Sequence, residues 1–597
     1  MTSKTDNAFI ALWLVGALIA AIPALGLLSA AYVDGSFIPV TNDSFYHARR
    51  ILDVAVNGLP LYEFDARIHV PEGSLLPWPW GYDYLMAMLV KACLLVSPGA
   101  EPMKVLAYIP TVFVLVNMGL FVALCRACSL PLPLAAIATI AFALLPLNQS
   151  LHGVGIVDHH FMELTFVLLT AWAAISFAAR PDARWRAIVL GLALGTAPLM
   201  HTSLFLLQLP VLLGIGFGWL RGLRLPNLTT LAIALLVSGI VVALPSTAAQ
   251  QLRFEYGTFS LFQPYIAVCT AVVLLAMNRL RREPRSIAML CVLAAVLSAP
   301  ILIQVLGGLN YIAGGQVALD DIMEVSSPWE LWFKTGSVVF MTSSYSALIF
   351  LAPVLLPLFA WLTWRSQSST DLMRNTLVVF ALAMLLTQFR FHPFGSWAMV
   401  AAPLLAIHRL EIRLDRRLIT AGAAVVVALS LITPFQNTLF SSFPTGLTQS
   451  YAMVHPMFAP LKQSCDAAPG IVLADHDDGH PIRYHTECSV IANNFLLTEQ
   501  HSQKIIELRK LLAMEPGDIA DAEPQIDYVL VHLYGVFGMT KSGPGVLPDE
   551  RIRSFNSTLF NRLALDSDVP ENFELLAERR LAGERPIPYV QLYRIRR

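Results

Sequence analysis

Charged side chains are scarce in this sequence. Asp, Glu, Lys and Arg together make up 14% of its 597 residues, whereas soluble globular domains have about 25%. Hydrophobic residues make up 56%, and the mean hydropathy is +0.62. This composition excludes a soluble protein of this length. Many apolar runs approach or exceed the roughly 18 residues that span a bilayer, so we predict a polytopic α-helical membrane protein.

The sequence also lacks an excess of positive or of negative residues. The formal net charge is -1, which gives no indication of a nucleic-acid partner. The seven cysteines do not form the repeated CxxC pairs of a zinc site, which argues against a structural metal framework. Cys465 and Cys488 lie in the polar C-terminal part and could form one disulfide if that part is extracytoplasmic. No clear cleavage site follows the polar N-terminus, so we expect the first apolar run to be retained as a helix.

Basic residues between the apolar runs predict the topology. We predict about thirteen transmembrane helices, near Ala8–Ala31, Val105–Leu124, Leu132–Leu147, Phe161–Ala179, Ala187–Met200, Leu204–Leu220, Thr229–Leu244, Tyr265–Met277, Ile287–Val305, Ala347–Trp364, Thr376–Gln388, Trp397–Ile407 and Leu418–Ile432. Arginines cluster in every second connection, and the positive-inside rule places these connections in the cytoplasm. The N-terminus is then inside and the C-terminus outside. Because this alternation fails if Tyr82–Val96 crosses the membrane, we favour an interfacial or re-entrant helix there over a fourteenth span.

The predicted external loops collect the unusual polar residues of the membrane part. Clusters of Asp, Glu, His and Arg lie in the loops 32–104, 149–160, 307–345 and 389–396. From about residue 442 the composition becomes polar, and short strand-like runs, at 470–474, 528–531 and 589–593, alternate with helical ones. We therefore predict a transmembrane domain over 1–441 and a soluble, extracytoplasmic, mixed α/β domain over 442–597, which is a normal domain size.

The stretch from Gly153 to Glu163 carries the densest cluster of ionisable residues beside an apolar segment. Ionisable residues next to a bilayer are costly and are usually kept for function. The carboxylate of Asp158 and the imidazole of His160, at alternate positions, suit a divalent cation. We interpret this stretch as the metal-binding part of an active site at the membrane surface. The alternative is a polar loop whose histidines merely lie at the interface.

Three further clusters are candidates for the same site, and each has a simpler interpretation. Asp43 follows the first span, where it or Ser44 could instead cap a helix. Glu324 closes an acidic loop, which could instead be only flexible. Arg390 interrupts an apolar stretch, where an arginine often extends its guanidinium to the lipid headgroups. Their shared placement on the predicted outer face is what favours a function.

The order of these clusters resembles the catalytic subunit of oligosaccharyltransferase in its single-subunit bacterial and archaeal form, which has a GT-C type fold. The family has an acidic residue after the first span, matched by Asp43, and a pair in the second external loop, matched by Asp158 and His160. It also has a Glu in a long external loop, matched by Glu324, and an Arg near a late span, matched by Arg390. A W-W-D-Y-G motif opens its soluble domain.

The resemblance implies a role for each matched residue. The implied ligands of a Mn2+ or Mg2+ ion are Asp43, Asp158 and His160. Asp43 and Glu324 are also implied to act on the acceptor amide as catalytic residues. The implied donor-diphosphate residues are Arg390, with His152 and His485 as further candidates. Asp477 and Gly479 match the W-W-D-Y-G motif and, with Glu324, are implied to bind the acceptor.

The resemblance therefore implies an enzyme that transfers a glycan from a polyprenyl-diphosphate donor to a protein asparagine. It implies a multi-pass protein of a bacterial or archaeal plasma membrane, with the active site on the outer face. The chain departs from the motif where Asp475, His476 and Asp478 replace the two Trp and the Tyr. The acceptor could thus be a lipid or an exopolysaccharide instead of an N-x-S/T peptide. A transporter is disfavoured, because it predicts ionisable residues near mid-membrane and paired halves with broken helices.

Overall fold

The chain folds into two units that interleave along the sequence. The computed structural model describes residues 4–223, 225–313, 326–409, 421–422, 424–425, 451, 453–522, 525–540, 543–581 and 586–597. The first unit comprises Met1–Ser29, Trp78–Leu89 and Lys104–Phe443. The second unit comprises Ala30–Pro77, Val90–Met103 and Pro444–Arg597. The predicted domain boundary at 441/442 stays a prediction, because it lies outside the described residues.

Apolar helices build the membrane part of the chain. Their bounds are Lys4–Gly26, Trp80–Val96, Pro102–Ala127, Leu132–Ala143, Pro146–Gln149, His160–Ala179, Arg184–Thr196, Gln208–Leu220, Leu228–Val241, Thr247–Gln250, Phe262–Arg279, Pro284–Ala313, Pro328–Thr335, Val338–Tyr345, Ala352–Arg365, Ser369–Thr387 and His392–Arg409. Short 3₁₀ turns lie at Ala197–Leu199, Thr202–Leu207, Ala347–Leu351 and Phe389–Phe391. Within the described residues, eight helical stretches are long and apolar enough to cross a membrane, and two more are apolar but shorter.

These helices confirm the predicted class, a polytopic α-helical membrane protein. The count of about thirteen spans stays a prediction, because several predicted spans correspond to helices shorter than a full crossing. One of them, Leu418–Ile432, lies largely outside the described residues. The run predicted as interfacial or re-entrant forms the helix Trp80–Val96, which has 17 residues. Its relation to the membrane also stays a prediction.

Small residues let two helices of the first unit pack closely. Gly191 and Gly195 lie four residues apart on Arg184–Thr196, facing Leu228–Val241. A Cβ added to either glycine would lie 2.8 Å from a backbone oxygen of the partner helix, too close for any side chain. Such spacing of small residues is typical of helix contacts in membranes. This contact fixes the end of the first helix, which leads into the connection that carries His201.

A five-stranded sheet forms the centre of the second unit. In spatial order its strands are Phe573–Leu581, Ile587–Ile595, Tyr528–His532, Ile471–Leu473 and Ser489–Val490. Among the first three strands each pair of neighbours is antiparallel, and among the last three each pair of neighbours is parallel. Tyr528–His532 belongs to both groups. The central strand Tyr528–His532 is buried along its whole length, as expected for a strand covered on both faces. The strand-like runs that the sequence indicates at 470–474, 528–531 and 589–593 are thereby confirmed.

Helices and small strand pairs complete the second unit. The helices are Asn42–Ala55, Phe458–Ala467, Gly479–His485, Glu499–Leu512, Asp549–Phe555 and Thr558–Phe560, with 3₁₀ or π turns at His455–Met457, His476–Asp478, Pro516–Asp521 and Asn561–Asp566. Paired short strands lie at Tyr32–Val33 with Ser36–Phe37, Phe64–Asp65 with Ser74–Leu75, and Phe537–Thr540 with Gly543–Val546. The predicted disulfide is confirmed, since Cys465 and Cys488 are bonded.

The segment after the first helix is a structural part of this second unit. Ile68 forms a parallel bridge with Val490 at the edge of the sheet. The guanidinium of Arg483 donates to Asp65 Oδ2 at 3.3 Å, and both side chains are buried. Burial alone would raise the pKa of Asp65, but Arg483 and further hydrogen bonds hold it below its ordinary value. The predicted domain division had assigned this segment to the membrane part.

Three histidines lie around Phe495 in the core of the second unit. His69, His480 and His501 have no exposed surface, and their ring centroids lie 6.5, 4.8 and 5.8 Å from that of Phe495. Burial lowers the pKa of His69 to about 4, and burial lowers the pKa of His501 well below its ordinary value. The imidazoles of His69 and His501 are therefore neutral in the folded protein at neutral pH.

We expect acid to destabilise this core. A histidine whose folded pKa lies below its unfolded pKa of about 6.5 stabilises the fold fully above pH 6.5, and this stability is lost as the pH falls towards 4. For His69 the loss at pH 5 is about 2 kcal/mol. The charges that face His69 are Lys504 and Asp65, with His480 also close. His69→Asn removes the titration, and Asn tolerates the positive φ of 53° at this position.

The measurement is the apparent Tm of the full chain in detergent, followed by tryptophan fluorescence from pH 7.5 to 5.0. The Tm of His69→Asn should fall less steeply with pH than that of the unchanged protein. Gln503→Asn, an uncharged change at an exposed position of Glu499–Leu512, serves as the control and should keep the original slope. Equal slopes for all three proteins would contradict the prediction.

Candidate functional site

A glycine-containing loop carries Asp158 to the start of a long helix in the first unit. The backbone NH of Val154 donates to Ala24 O at 3.1 Å, and that of Gly155 donates to Ala107 O at 2.9 Å. Gly155 has φ +83°, a conformation that favours glycine. Two neighbouring helices thus hold the loop, which gives Asp158 a defined position at its end.

Four ionisable side chains meet at the start of the helix His160–Ala179. Asp158 lies 3.0 Å from His159 (Oδ1 to Nδ1) and 3.7 Å from His160 (Oδ2 to Nε2). Glu163 Oε1 lies 3.4 Å from His159 Nε2 and 3.5 Å from His160 Nδ1. Glu163 follows these histidines by four and three residues, so a helix places all three on one face.

A fifth side chain reaches this cluster from another connection. His201 Nδ1 lies 2.9 Å from Glu163 Oε1, and its ring stacks on that of His159 with centroids 4.5 Å apart and an interplanar angle of 6°. On its other side, His201 Nε2 lies 3.4 Å from Arg390 Nη2. The loop pair predicted by the sequence is therefore part of a larger group of imidazoles, carboxylates and one guanidinium.

The turn Phe389–Phe391 presents Arg390 to this group. The backbone NH of Phe389 donates to Ser326 O at 2.9 Å, and His392 Nδ1 donates to Phe389 O at 2.9 Å. The His392 ring stacks on Phe389 and lies 5.9 Å from that of His160. Arg390 thus contacts His201 within the protein. Its role as a diphosphate-binding residue stays a prediction.

The donor atoms of this cluster fit a divalent cation. Asp158 Oδ2 and His160 Nε2, 3.7 Å apart, are close enough for both to bind one ion at about 2.1 Å. One atom each from His159, Glu163 and His201 also lie within 4.8 Å of one another. Mixed carboxylate and imidazole ligands accept several divalent ions. The first unit thus contains candidate metal-ligating groups, while the identity Mn2+ or Mg2+ stays a prediction.

Asp43 lies in the second unit, in the first turn of Asn42–Ala55. Its Oδ1 is 3.4 Å from His480 Nδ1, and its side chain is 34% exposed. The alternative that Asp43 or Ser44 caps the helix is wrong, because the N-cap residue is Thr41. A shared cation site of Asp43 with the loop pair of the first unit stays a prediction. Glu324, the other predicted catalytic residue, lies outside the described residues.

The predicted acceptor residues lie in a hydrogen-bonded turn of the second unit. The backbone NH of Asp477 donates to Asp475 Oδ1 at 3.1 Å, and Asn494 donates to Asp477 Oδ1 at 2.8 Å. A Cβ on Gly479 would lie 2.7 Å from Ala492 O, so this position requires glycine. The turn is well ordered by its own bonds, but its role in acceptor binding stays a prediction.

The residues that replace the family's aromatic side chains in this turn bond to polar partners. His476 Nδ1 lies 2.8 Å from Asp475 Oδ1. Asp478 has no exposed surface; its Oδ1 lies 3.2 Å from His532 Nδ1, and its Oδ2 accepts from Tyr534 Oη at 3.3 Å. The departure from W-W-D-Y-G is therefore accompanied by a buried acid–imidazole pair that attaches the turn to the central strand.

Two of the predicted diphosphate residues are enclosed by protein groups. His152 Nδ1 donates to Asn148 O at 2.7 Å, its Nε2 lies 2.9 Å from Asn117 Nδ2, and burial lowers its pKa to about 4. His485 stacks on Phe458 with centroids 4.4 Å apart, and burial lowers its pKa to about 3. Both imidazoles are neutral, which favours a packing role; their assignment to the diphosphate stays a prediction.

The sequence alone led to no metal-binding, diphosphate-binding or acceptor-binding role for Glu163 or His201. The spacing of Glu163 from the two histidines, three and four residues along a helix, is a local signal that could have identified it. His201 offers no comparable signal, because it joins the cluster from a connection far along the chain. The position of His532 beside Asp478 likewise follows only from the pairing of its strand in the sheet.

The chain shares its fold with solved archaeal oligosaccharyltransferases. The structure of the enzyme AglB from Archaeoglobus fulgidus in complex with an inhibitory peptide and a dolichol-phosphate superposes with a TM-score of 0.73, at 16% identity over 96% of this chain and 80% of that chain. The Archaeoglobus fulgidus enzyme tethered to an acceptor peptide containing the NVT sequon gives 0.69, at 14% identity over 98% and 88%. Its complex with Zn and sulfate gives 0.66, at 17% identity over 95% and 78%.

No sequence-family model matches the chain, and no curated protein sequence matches it. At identities of 14–17% the structural likeness establishes the fold. The predicted architecture, a GT-C type membrane protein with a C-terminal α/β domain similar to that of oligosaccharyltransferase, is thereby confirmed.

The buried pair of Asp478 and His532 should contribute strongly to stability. Asp478→Ala removes one partner of a pair without exposed surface, and such losses cost about 3 kcal/mol or more. We expect the Tm of the full chain in detergent to fall by roughly 6 °C or more. The control is Asp466→Ala, which breaks the exposed pair with Lys462 and should change the Tm by less than about 2 °C. Equal shifts in both variants would contradict the prediction.

Proposed function

We propose that this protein is a membrane glycosyltransferase that moves a glycan from a polyprenyl-diphosphate donor to an acceptor, most simply a protein asparagine. The observation that carries the proposal is the cluster of Asp158, His160, His201 and Arg390 in a chain with the oligosaccharyltransferase fold. Structures with this fold hold a dolichol-phosphate or a sequon peptide. A lipid-linked donor and a polypeptide acceptor are therefore the ligands that we assign here.

The donor diphosphate binds at the guanidinium and imidazole side of the cluster. Arg390 presents a planar fork of N–H donors, which fits the oxygens of a phosphate group. Asp158 and His160 would hold the cation, and Asp43 stays a predicted third ligand. Bound there, Mn2+ or Mg2+ would offset the negative charge that develops on the leaving diphosphate.

The acceptor amide needs activation, because its nitrogen lone pair is delocalised into the carbonyl group. We assign Asp43 and Glu324 to the two amide hydrogens, which they bind as carboxylates. In the transfer step the bond from the sugar's anomeric carbon to the diphosphate oxygen breaks, and a bond to the amide nitrogen forms. The amide proton passes to one of these carboxylates, and the diphosphate leaves with the electron pair of the broken bond.

The acceptor side includes Asp477 and Gly479 in the turn of the second unit. In this turn Asp475 and His476 bond to each other where the family has tryptophans. This polar pair offers less apolar surface to a peptide side chain, which supports a second candidate function with the same chemistry. In that case the acceptor is a hydroxyl of a lipid or an exopolysaccharide.

The outer face of a bacterial or archaeal plasma membrane is the location that fits these features. The positive-inside rule places the loop of Asp158 outside. The disulfide between Cys465 and Cys488 supports an oxidising, extracytoplasmic compartment for the second unit. The donor glycan is then available on the same side as secreted acceptors.

Glycan transfer by the purified full chain tests the reaction. The assay contains a polyprenyl-diphosphate-linked oligosaccharide, an N-x-T peptide and Mn2+. Asp158→Asn should lower the rate about a hundredfold or more, because the charge on the leaving diphosphate loses part of its stabilisation. The control is Asp182→Asn, at an exposed position just after His160–Ala179 and about 30 Å of helix away from its start. Unchanged transfer by Asp158→Asn would refute the assignment.

The acceptor is tested by deleting the gene. Mass spectrometry of secreted proteins should show the loss of glycopeptides if the acceptor is asparagine. If instead the glycopeptides persist and a glycan of the cell envelope is lost, the second candidate is correct. Complementation with Asp182→Asn should restore the modification and complementation with Asp158→Asn should not.

A further inference from the structure

Three imidazoles of the first unit lie close to the carboxylate of Glu163. Its Oε1 lies 3.4 Å from His159, 3.5 Å from His160 and 2.9 Å from His201. Only 1% of Glu163 is exposed. A buried carboxylate is costly unless it is paired, so its three imidazole neighbours compensate for its burial. Three rings, from two separate connections, therefore lie around one carboxylate oxygen.

The two ring nitrogens of His160 face different partners. Nε2 faces Asp158 Oδ2 at 3.7 Å, and Nδ1 faces Glu163 Oε1 at 3.5 Å. A histidine that binds a metal usually donates its other ring N–H to a carboxylate, which fixes the tautomer and the orientation of the ring. Glu163 is placed to do this for His160, leaving Nε2 and its lone pair directed towards Asp158.

His201 links the same carboxylate to the guanidinium. Its Nδ1 lies 2.9 Å from Glu163 Oε1 and 2.7 Å from Ser203 Oγ, and its Nε2 lies 3.4 Å from Arg390 Nη2. When Nδ1 carries the proton, Glu163 and Ser203 Oγ can accept it, and Nε2 is the acceptor that faces Arg390. The near-parallel stack on His159 holds the plane of the ring. The ring thus reaches from the carboxylate to the group that we assign to the diphosphate.

We infer that Glu163 is a positioning residue that orients His160 towards the cation and, through His201, aligns Arg390 for the donor diphosphate. This inference rests on the proposed function, since it names what places the cation ligand and the diphosphate-binding group. It assigns His201 to the donor side of the site. In this role Glu163 does not itself contact the substrate.

Metal binding tests the first half of the inference. The purified full chain is titrated with Mn2+ alone, and the free ion is followed by its electron paramagnetic resonance signal. Glu163→Gln keeps the shape of the side chain but removes its charge. It should weaken Mn2+ binding by roughly tenfold to a hundredfold, as the loss of such supporting carboxylates does elsewhere. Asp182→Asn should bind Mn2+ as the unchanged protein does.

Donor kinetics test the second half. His201→Phe keeps the ring that stacks on His159 but loses the bonds to Glu163 and Arg390. Its KM for the polyprenyl-diphosphate donor should rise about tenfold or more, as expected when a hydrogen bond to a charged group is lost. Its kcat and its KM for the acceptor peptide should stay within about twofold. A residue that only supported folding would lower the Tm and the apparent kcat, because less active enzyme remains, and would leave the donor KM unchanged.

The outcomes separate this inference from the proposed function. If the unchanged protein neither binds Mn2+ nor transfers glycan, the proposed function fails, and the inference fails with it. If the unchanged protein does both, but Glu163→Gln binds Mn2+ normally or His201→Phe has an unchanged donor KM, only the inference is overturned. If Glu163→Gln does not fold, His201→Phe decides, because its donor KM either rises or does not.

Discussion

A carboxylate enclosed among imidazoles at the end of a membrane helix is the interaction on which the described site depends. Glu163 is buried, and a buried negative charge persists only when neighbouring groups compensate for the lost water. Three histidines do so, two from its own helix and one from a distant connection. Because the carboxylate needs these partners, their rings are held in place before any ligand arrives. The geometry at the mouth of the bundle therefore follows from the burial of one acid.

The rest of the first unit serves to bring these groups together. The loop before Asp158 is held by backbone hydrogen bonds to two helices. The connection that carries His201 follows a helix whose glycines allow close packing. The turn of Arg390 is held by Ser326 and by the stacked ring of His392. Rigid backbone elements thus supply each functional side chain, as sites with defined geometry require.

Features encoded by short-range patterns were predictable from the sequence, and features that depend on distant pairs were not. Hydropathy predicts the apolar helices, and the alternation at Asp158 and His160 identifies the loop as a candidate metal site. Strand-like composition locates the three main strands of the second unit. The domain division was less predictable, because the segment after the first helix joins the second unit through pairs such as Asp65 with Arg483. The place of His201 in the cluster was unpredictable for the same reason, since nothing near it in the sequence indicates that its partner is Glu163.

That interrupted second unit has a consequence for biosynthesis. Its early segment emerges from the ribosome well before the strands on which it packs, with most of the membrane helices made in between. At about 5–20 residues per second the interval is roughly half a minute. During it, Asp65 lacks Arg483, and the edge residue Ile68 lacks Val490. The early segment therefore stays without these partners until Arg483 and Val490 have been synthesised, so this part of the second unit can assemble only late in synthesis.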